Sequence, residues 1–196
     1  MSQEASAVPG MTGPVRDFVG YGRTPPDVKW PGGARLVVNI VINYESGAEY
    51  SLPDGDGRND TWGEYSYQIG PEVRDLGTEA HFEFGSRVGI WRLARLFDRY
   101  GVRISVGASA MALERNPAVA EWMTGAGHDL IGHGWRWTEN SAMSRQEERD
   151  DLHRAVEAFE KLTGSHPPGW YVRSFPSVQT RELLVEEGGF LYDSDS

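Results

Sequence analysis

The chain has 196 residues, 39% of them hydrophobic and 11% aromatic, with 19 Lys plus Arg against 29 Asp plus Glu for a net charge of −10. This is the composition of a folded domain, and its acidity argues against nonspecific binding to nucleic acid or anionic membranes. The absence of cysteine excludes disulfides, thiolate metal sites and a Cys nucleophile.

Residues 1–15 are small and polar, with Pro9 and Pro14, and are expected to form a flexible arm. They lack the basic and apolar segments of a secretory signal, and no apolar run is long enough to span a membrane, so the expected location is the cytoplasm. Residues 16–34 read as a wrapped loop rich in Pro and Gly. The run Arg35 to Asn43, RLVVNIVIN, predicts a strand buried on both faces. A Gly-, Asp- and Ser-rich loop follows from Glu45 to Thr78, and its Asp54, Asp56 and Asp60 read as solvated; the spacing lacks the closing Glu of an EF-hand loop.

Ser86 to Gly101 predicts a helix with Ser86 as N-cap and Gly101 as the stop. Val102 to Ala108 predicts a strand, Met111 to Ala126 helix broken near Pro117, and His128 to Gly132 a second short strand. Ser144 and Glu147 have capping-box spacing ahead of a helix ending at Gly164, with Leu152, Ala155, Val156, Phe159 and Leu162 on one face. Gly169 to Val172 reads as strand, Thr180 to Glu187 as helix, and Phe190 to Tyr192 as the start of another strand. Alternating strands and helices predict an α/β fold with a parallel sheet, either open or curled toward a barrel.

In such folds the chemistry gathers at the carboxyl ends of strands. Four segments stand there. GHGWRWTEN places His133, Trp135 and Trp137 after one strand, as aromatic walls around a polar group. INYESGAE places Asn43 and Glu45 after the first. HFEFGSRVG carries Arg87 in what reads as a first helical turn, where the dipole disfavours a cation unless a carboxylate such as Glu45 or Glu83 compensates. GWYVRSFPSVQT carries Tyr171 and Arg173, the latter suited to an anionic or carbonyl group. Each has a structural alternative: a core histidine, a solvated carboxylate, a surface or ion-paired arginine. There is no GxSxG, GxxxxGK[ST] or HExxH motif.

These segments together (RDFVGYGRTPPDVKWPGGARLVVNIVINYESGAE, EFGSRVGIWRLARLFDRYGV, GHDLIGHGWRWTEN and GWYVRSFPSVQTRELLVEEGGFLYDSDS) resemble the polysaccharide deacetylase superfamily, the NodB homology domain. The resemblance covers residues 16–196 and is closest to its allantoinase-like and cyclic-imide-hydrolase-like branch. It implies a distorted TIM-like β/α barrel, here incomplete with four or five β/α units, as the N-terminal part of a longer protein. It also implies hydrolysis of non-peptide C–N bonds. Metal-dependent members carry Asp residues after the first strand and a His-x-x-x-His pair after the third. Here His133 matches the first His, Trp137 stands at the second, and Asn43-Tyr44-Glu45 replaces the Asp pair, so no catalytic metal or other cofactor is expected.

Without a metal, amide hydrolysis still needs a base for water and an acid for the leaving nitrogen, and by elimination His133 is the expected base or acid, with Glu45 second, as base or as the group orienting His133. Asn43, Arg87, Trp135, Trp137, Tyr171 and Arg173 are the expected substrate-binding residues for a small cyclic amide or acetamido compound. The alternatives are a metal-dependent N-acetylglucosamine deacetylase and a non-catalytic remnant of the fold. Exposed sheet edges would favour a homo-oligomer.

Overall fold

In the computed structural model the described residues are 13, 16–61, 69–70 and 72–195. The expected N-terminal arm, residues 1–15, lies outside them apart from Gly13. The chain divides into two compact units, one through Asn39 and one from Ile40 onward. In the first, Asp17 accepts hydrogen bonds from the Val19 and Gly20 backbone N–H groups, and a 3₁₀ turn spans Pro31–Gly33.

Among the described residues the second unit is built on five parallel strands: β1 Val41–Tyr44, β2 Ser105–Ala108, β3 Asp129–Gly132, β4 Gly169–Trp170 and β5 Tyr192–Asp193. They lie in the order β1-β2-β3-β4-β5. Each strand adds to the same edge as its predecessor. That is how a barrel wall grows, whereas a doubly wound sheet reverses direction part-way. Among the described residues the sheet is open, with β1 and β5 at its edges. The connecting helices are α1 Leu76–Phe84, α2 Ile90–Tyr100, α3 Ala110–Arg115, α4 Pro117–Gly125, α5 Arg145–Thr163 and α6 Thr180–Glu187. None is long and apolar enough to cross a membrane.

The sequence pattern accounts for most boundaries. Ser144 and Glu147 close the capping box of α5, and Gly164 ends it with φ +77°. The α5 stripe Leu152, Ala155, Val156 and Phe159 is buried in one core with Val106, Leu113, Val119, Met123 and Trp170. Each large apolar side chain buried there contributes about 1.5–3 kcal/mol.

Three expectations need correction. The run expected to be a doubly buried strand from Arg35 forms strand only over Val41–Tyr44, and Leu36, Val38 and Val41 are exposed. As the sheet's terminal strand, β1 has a ladder partner on one side only, and its free edge lacks a neighbouring strand whose side chains would help to cover its own. Next, Ser86 is not an N-cap. The helix begins ten residues earlier, where Asp75 accepts from the Gly77 and Thr78 N–H groups. It then runs through a π-helical turn, Gly85–Gly89, into α2. Ser86 lies inside that turn and bonds the Tyr44 hydroxyl at 2.7 Å.

The third concerns Asp54, Asp56 and Asp60, which are not simply solvated. Each is paired with an arginine from elsewhere in the chain: Arg115 at 2.6 Å, Arg136 at 2.7 Å and Arg173 at 2.6 Å respectively. These pairs pin residues 54–60 to the C-terminal side of the sheet.

Candidate active site

The ladder sets the site. Backbone bonds continue one residue past the strands: Ser109 N–H to Tyr44 O, His133 N–H to Ala108 O, Tyr171 N–H to Gly132 O and Ser194 N–H to Trp170 O. They bring the first residues after β2, β3, β4 and β5 to one level at the carboxyl ends of the strands, beside the end of β1. His133 is buried there, 3% exposed. Its ring stacks on Tyr171 with centroids 3.8 Å apart and planes 18° from parallel. Gly107 makes room for this stack, since a Cβ on it would lie 2.0 Å from the Tyr171 Oη.

Both imidazole nitrogens are engaged. Nδ1 lies 3.0 Å from the Tyr171 carbonyl oxygen, an acceptor, so Nδ1 carries a hydrogen and donates it. Nε2 accepts from the Trp137 indole N–H at 2.9 Å. It also lies 2.9 Å from Glu45 Oε1, a buried oxygen with no other hydrogen-bond partner among the described residues. These two neighbours make opposite demands. Trp137 needs a lone pair on Nε2, and an ionised Glu45 needs a proton there. The arrangement therefore sets a carboxylate oxygen and an N–H donor against the same ring nitrogen. Tyr171 donates to Asn43 Oδ1 at 2.8 Å, and burial together with the Glu45 and Asp195 charges pushes its phenol well above the ordinary range.

Trp137 is held from behind. The Arg173 guanidinium lies 3.8 Å from its ring centroid and donates to its backbone carbonyl at 2.8 Å. The same guanidinium makes paired bonds of 2.6 and 2.9 Å to Asp60, with the two side chains 2% and 0% exposed. Arg173 is thus placed as a support for Trp137, with its Nη atoms engaged by Asp60 and a carbonyl.

Of the residues expected to form the site, the structure brings together Asn43, Glu45, His133, Trp137 and Tyr171, with Arg173 beneath. Two fall elsewhere. The Trp135 indole N–H donates to Glu114 at 3.0 Å and its ring carries Arg154 on its face, a contact with α3 and α5. Arg87 is exposed, pairs with Glu83 one helical turn away at 3.4 Å, and lines a separate cleft of about 270 Å³ with Ser46, Asp54, Phe82 and Arg115. The π-turn puts it in mid-helix, so the dipole argument made for a first-turn arginine does not apply. Asp60, expected to be solvated, is buried behind Trp137, and Asp195 is a carboxylate at this level that the sequence motifs did not single out. Asp195 was signalled only by its place just beyond the last strand.

The donor set does not fit a divalent ion. His133 Nε2, the atom that would face a metal, is taken by the Trp137 N–H, and an indole offers no lone pair in return. Among the described residues no group of three or more His, Asp or Glu is placed to hold an ion.

The profile of the family described as "Polysaccharide deacetylase" matches residues 80–182. The chain belongs to the polysaccharide deacetylase family. A Schizosaccharomyces pombe protein named as a polysaccharide deacetylase is 33% identical over 179 residues, 88% of this chain and 55% of that protein. The Helicobacter pylori peptidoglycan deacetylase is 32% identical over 112 residues, 56% of this chain and 38% of that protein. Two crystal structures superpose with TM-scores of 0.86. A Pseudomonas aeruginosa PAO1 protein titled as a polysaccharide deacetylase is 41% identical, with 92% of this chain and 61% of that one covered. The PuuE allantoinase is 38% identical, with coverages of 92% and 60%. The open sheet is therefore the NodB type of β/α fold, as the family's motifs imply. The chain spans about half the length, or less, of the curated relatives it matches.

Proposed function

We propose that the chain carries the catalytic couple of an allantoinase-like hydrolase, which opens a non-peptide C–N bond of a cyclic amide, a ureide or imide, without a resident metal. The observation that carries this reading is the shared Nε2 of His133, set between the Glu45 carboxylate and the Trp137 N–H. The family supplies C–N hydrolysis as the reaction class, and the allantoinase neighbour supports the cyclic amide within it.

The chemistry follows from the couple. Glu45 and His133 take a proton from a water as its oxygen bonds to the ring carbonyl carbon. The carbonyl oxygen gains the negative charge. As it re-forms the carbonyl, the C–N bond breaks and the couple returns its proton to the leaving nitrogen. One water is consumed, and the products are a carboxyl group and a freed amide or amine nitrogen. The Trp137 N–H donates to Nε2 whenever that nitrogen carries no proton, so the neutral imidazole stays in one tautomer and orientation. Tyr171 stacks beneath the imidazole.

The test is a substrate panel of allantoin, hydantoin, succinimide and an N-acetylglucosamine oligomer, each assayed with and without a chelator. Ring opening that resists chelation and is abolished in His133→Ala and Glu45→Gln supports the reading. Acetate release lost to the chelator, with stoichiometric bound zinc, would establish the deacetylase alternative instead. No turnover on either substrate class would leave this chain a binding remnant of the fold.

A further inference from the structure

The peptide group joining Tyr171 and Val172 is bonded at both ends to chemically active side chains. Its carbonyl accepts from His133 Nδ1 at 3.0 Å. Its N–H, on Val172, donates to both oxygens of Asp195 at 3.2 and 3.1 Å. Val172 is buried, 5% exposed. Asp195 is brought to this level by the Ser194 N–H to Trp170 O bond that extends β5.

We infer that Asp195 is a positioning residue for His133, acting through this peptide group. The carboxylate polarises the Val172 N–H, the Tyr171 carbonyl becomes a stronger acceptor, and the imidazolium form of His133 is stabilised on its Nδ1 side. The physics is that of hydrogen bonds in series, which polarise one another in a medium of low dielectric. The arrangement resembles an Asp–His pair with one peptide group inserted between the partners.

The charges around the two ends are consistent with this coupling. His133 faces Glu45 at Nε2, the uncharged Trp137 N–H, and the stacked Tyr171 phenol. Asp195 faces the Val172 N–H, with Asp193 and Arg181 nearby. Burial pushes the Asp195 carboxyl up to about 6, against the lowering effect of the Val172 N–H and of His133. The peptide group between them is the route by which the charge on Asp195 reaches the Nδ1 side of His133.

The inference rests on His133 being the proton carrier of the proposed hydrolase, and its test is independent of turnover. His133 is titrated by NMR in the wild-type chain, in Asp195→Asn and in Asp195→Ala. Asparagine keeps an acceptor for Val172 N–H and removes the charge. The expected result is a downward shift of the His133 pKa by about half to one unit in Asp195→Asn, with an unchanged fold by circular dichroism. An unshifted His133 in a folded Asp195→Asn chain overturns the inference. Should neither variant fold, the wild type still decides the matter. The Val172 amide and the His133 ring must share an inflection, and independent titrations overturn the coupling. Turnover failing while the shift is present would instead count against the hydrolase reading alone.

Discussion

Replacing Asp60 by alanine should unfold the protein far more readily than the loss of a loop carboxylate would. The pair it makes with Arg173 is sealed: the side chains are 0% and 2% exposed, and two charge-assisted bonds of 2.6 and 2.9 Å join them. Removing one member of such a pair leaves a buried charge and typically costs about 3–5 kcal/mol. Here the stranded guanidinium would keep the Trp137 carbonyl at 2.8 Å and the indole face, and Glu139 stands 3.8 Å away at 31% exposure. These contacts offset part of the penalty, and the expected net loss is about 3 kcal/mol. For a chain of this size that corresponds to a melting temperature lower by about 6–12 °C. The assay is urea denaturation of the wild type, Asp60→Ala, Arg173→Met and the double variant. The double variant should lose about 2–3 kcal/mol less than the sum of the single losses, because it strands no charge. Raising the salt to about 0.5 M should leave the coupling intact, since buried pairs are poorly screened. A loss below about 1 kcal/mol for Asp60→Ala, or a coupling abolished by salt, would mean that the pair behaves as an ordinary surface contact.

Gly107→Ala drives a Cβ to within 2.0 Å of the Tyr171 hydroxyl. Tyr171 must shift off His133, so stability should fall by about 1–3 kcal/mol and turnover by at least about tenfold; an unperturbed His133 titration would refute the stacking argument. Ser144→Ala breaks the capping box of α5 and should cost about 1 kcal/mol in urea denaturation without altering turnover. Asp151 accepts the Trp135 backbone N–H at 3.0 Å, and burial pushes its carboxyl up to about 6. A raised carboxylate binds its proton more tightly in the folded chain, so its stabilising contribution is complete below about pH 4 and is lost as pH rises through about 6. Asp151→Asn should flatten the pH dependence of stability between these limits by about 2 kcal/mol, and identical slopes in variant and wild type would contradict this.

Much of the secondary structure is local, and so it was legible. The capping box at Ser144, the stop at Gly164, the break at Pro117 and the α6 span Thr180–Glu187 all depend on contacts within a few residues. The alternation of strands and helices determined a parallel sheet, and placing His133, Glu45 and Tyr171 just after strands determined that they share one end of it. The start of α1 was missed because Asp75 lies in a polar stretch whose apolar periodicity is weak. The length of β1 was overestimated because a run of Val and Ile records β-propensity, while its burial depends on neighbours that the run does not contain.

What only the tertiary structure decided is which partner each charged or polar side chain meets. Asp60 and Arg173 are 113 residues apart, and nothing in either neighbourhood distinguishes a buried pair from a solvated loop and a free guanidinium. Trp135 and Trp137 look alike in sequence, yet the turn after β3 sends one indole to Glu114 and the other to His133. A parallel sheet brings strand ends together only after long crossovers, so the couple at His133 Nε2 and the peptide link to Asp195 exist only once five strands are in register. Local pattern determined where chemistry could stand. Long-range register decided which groups meet there.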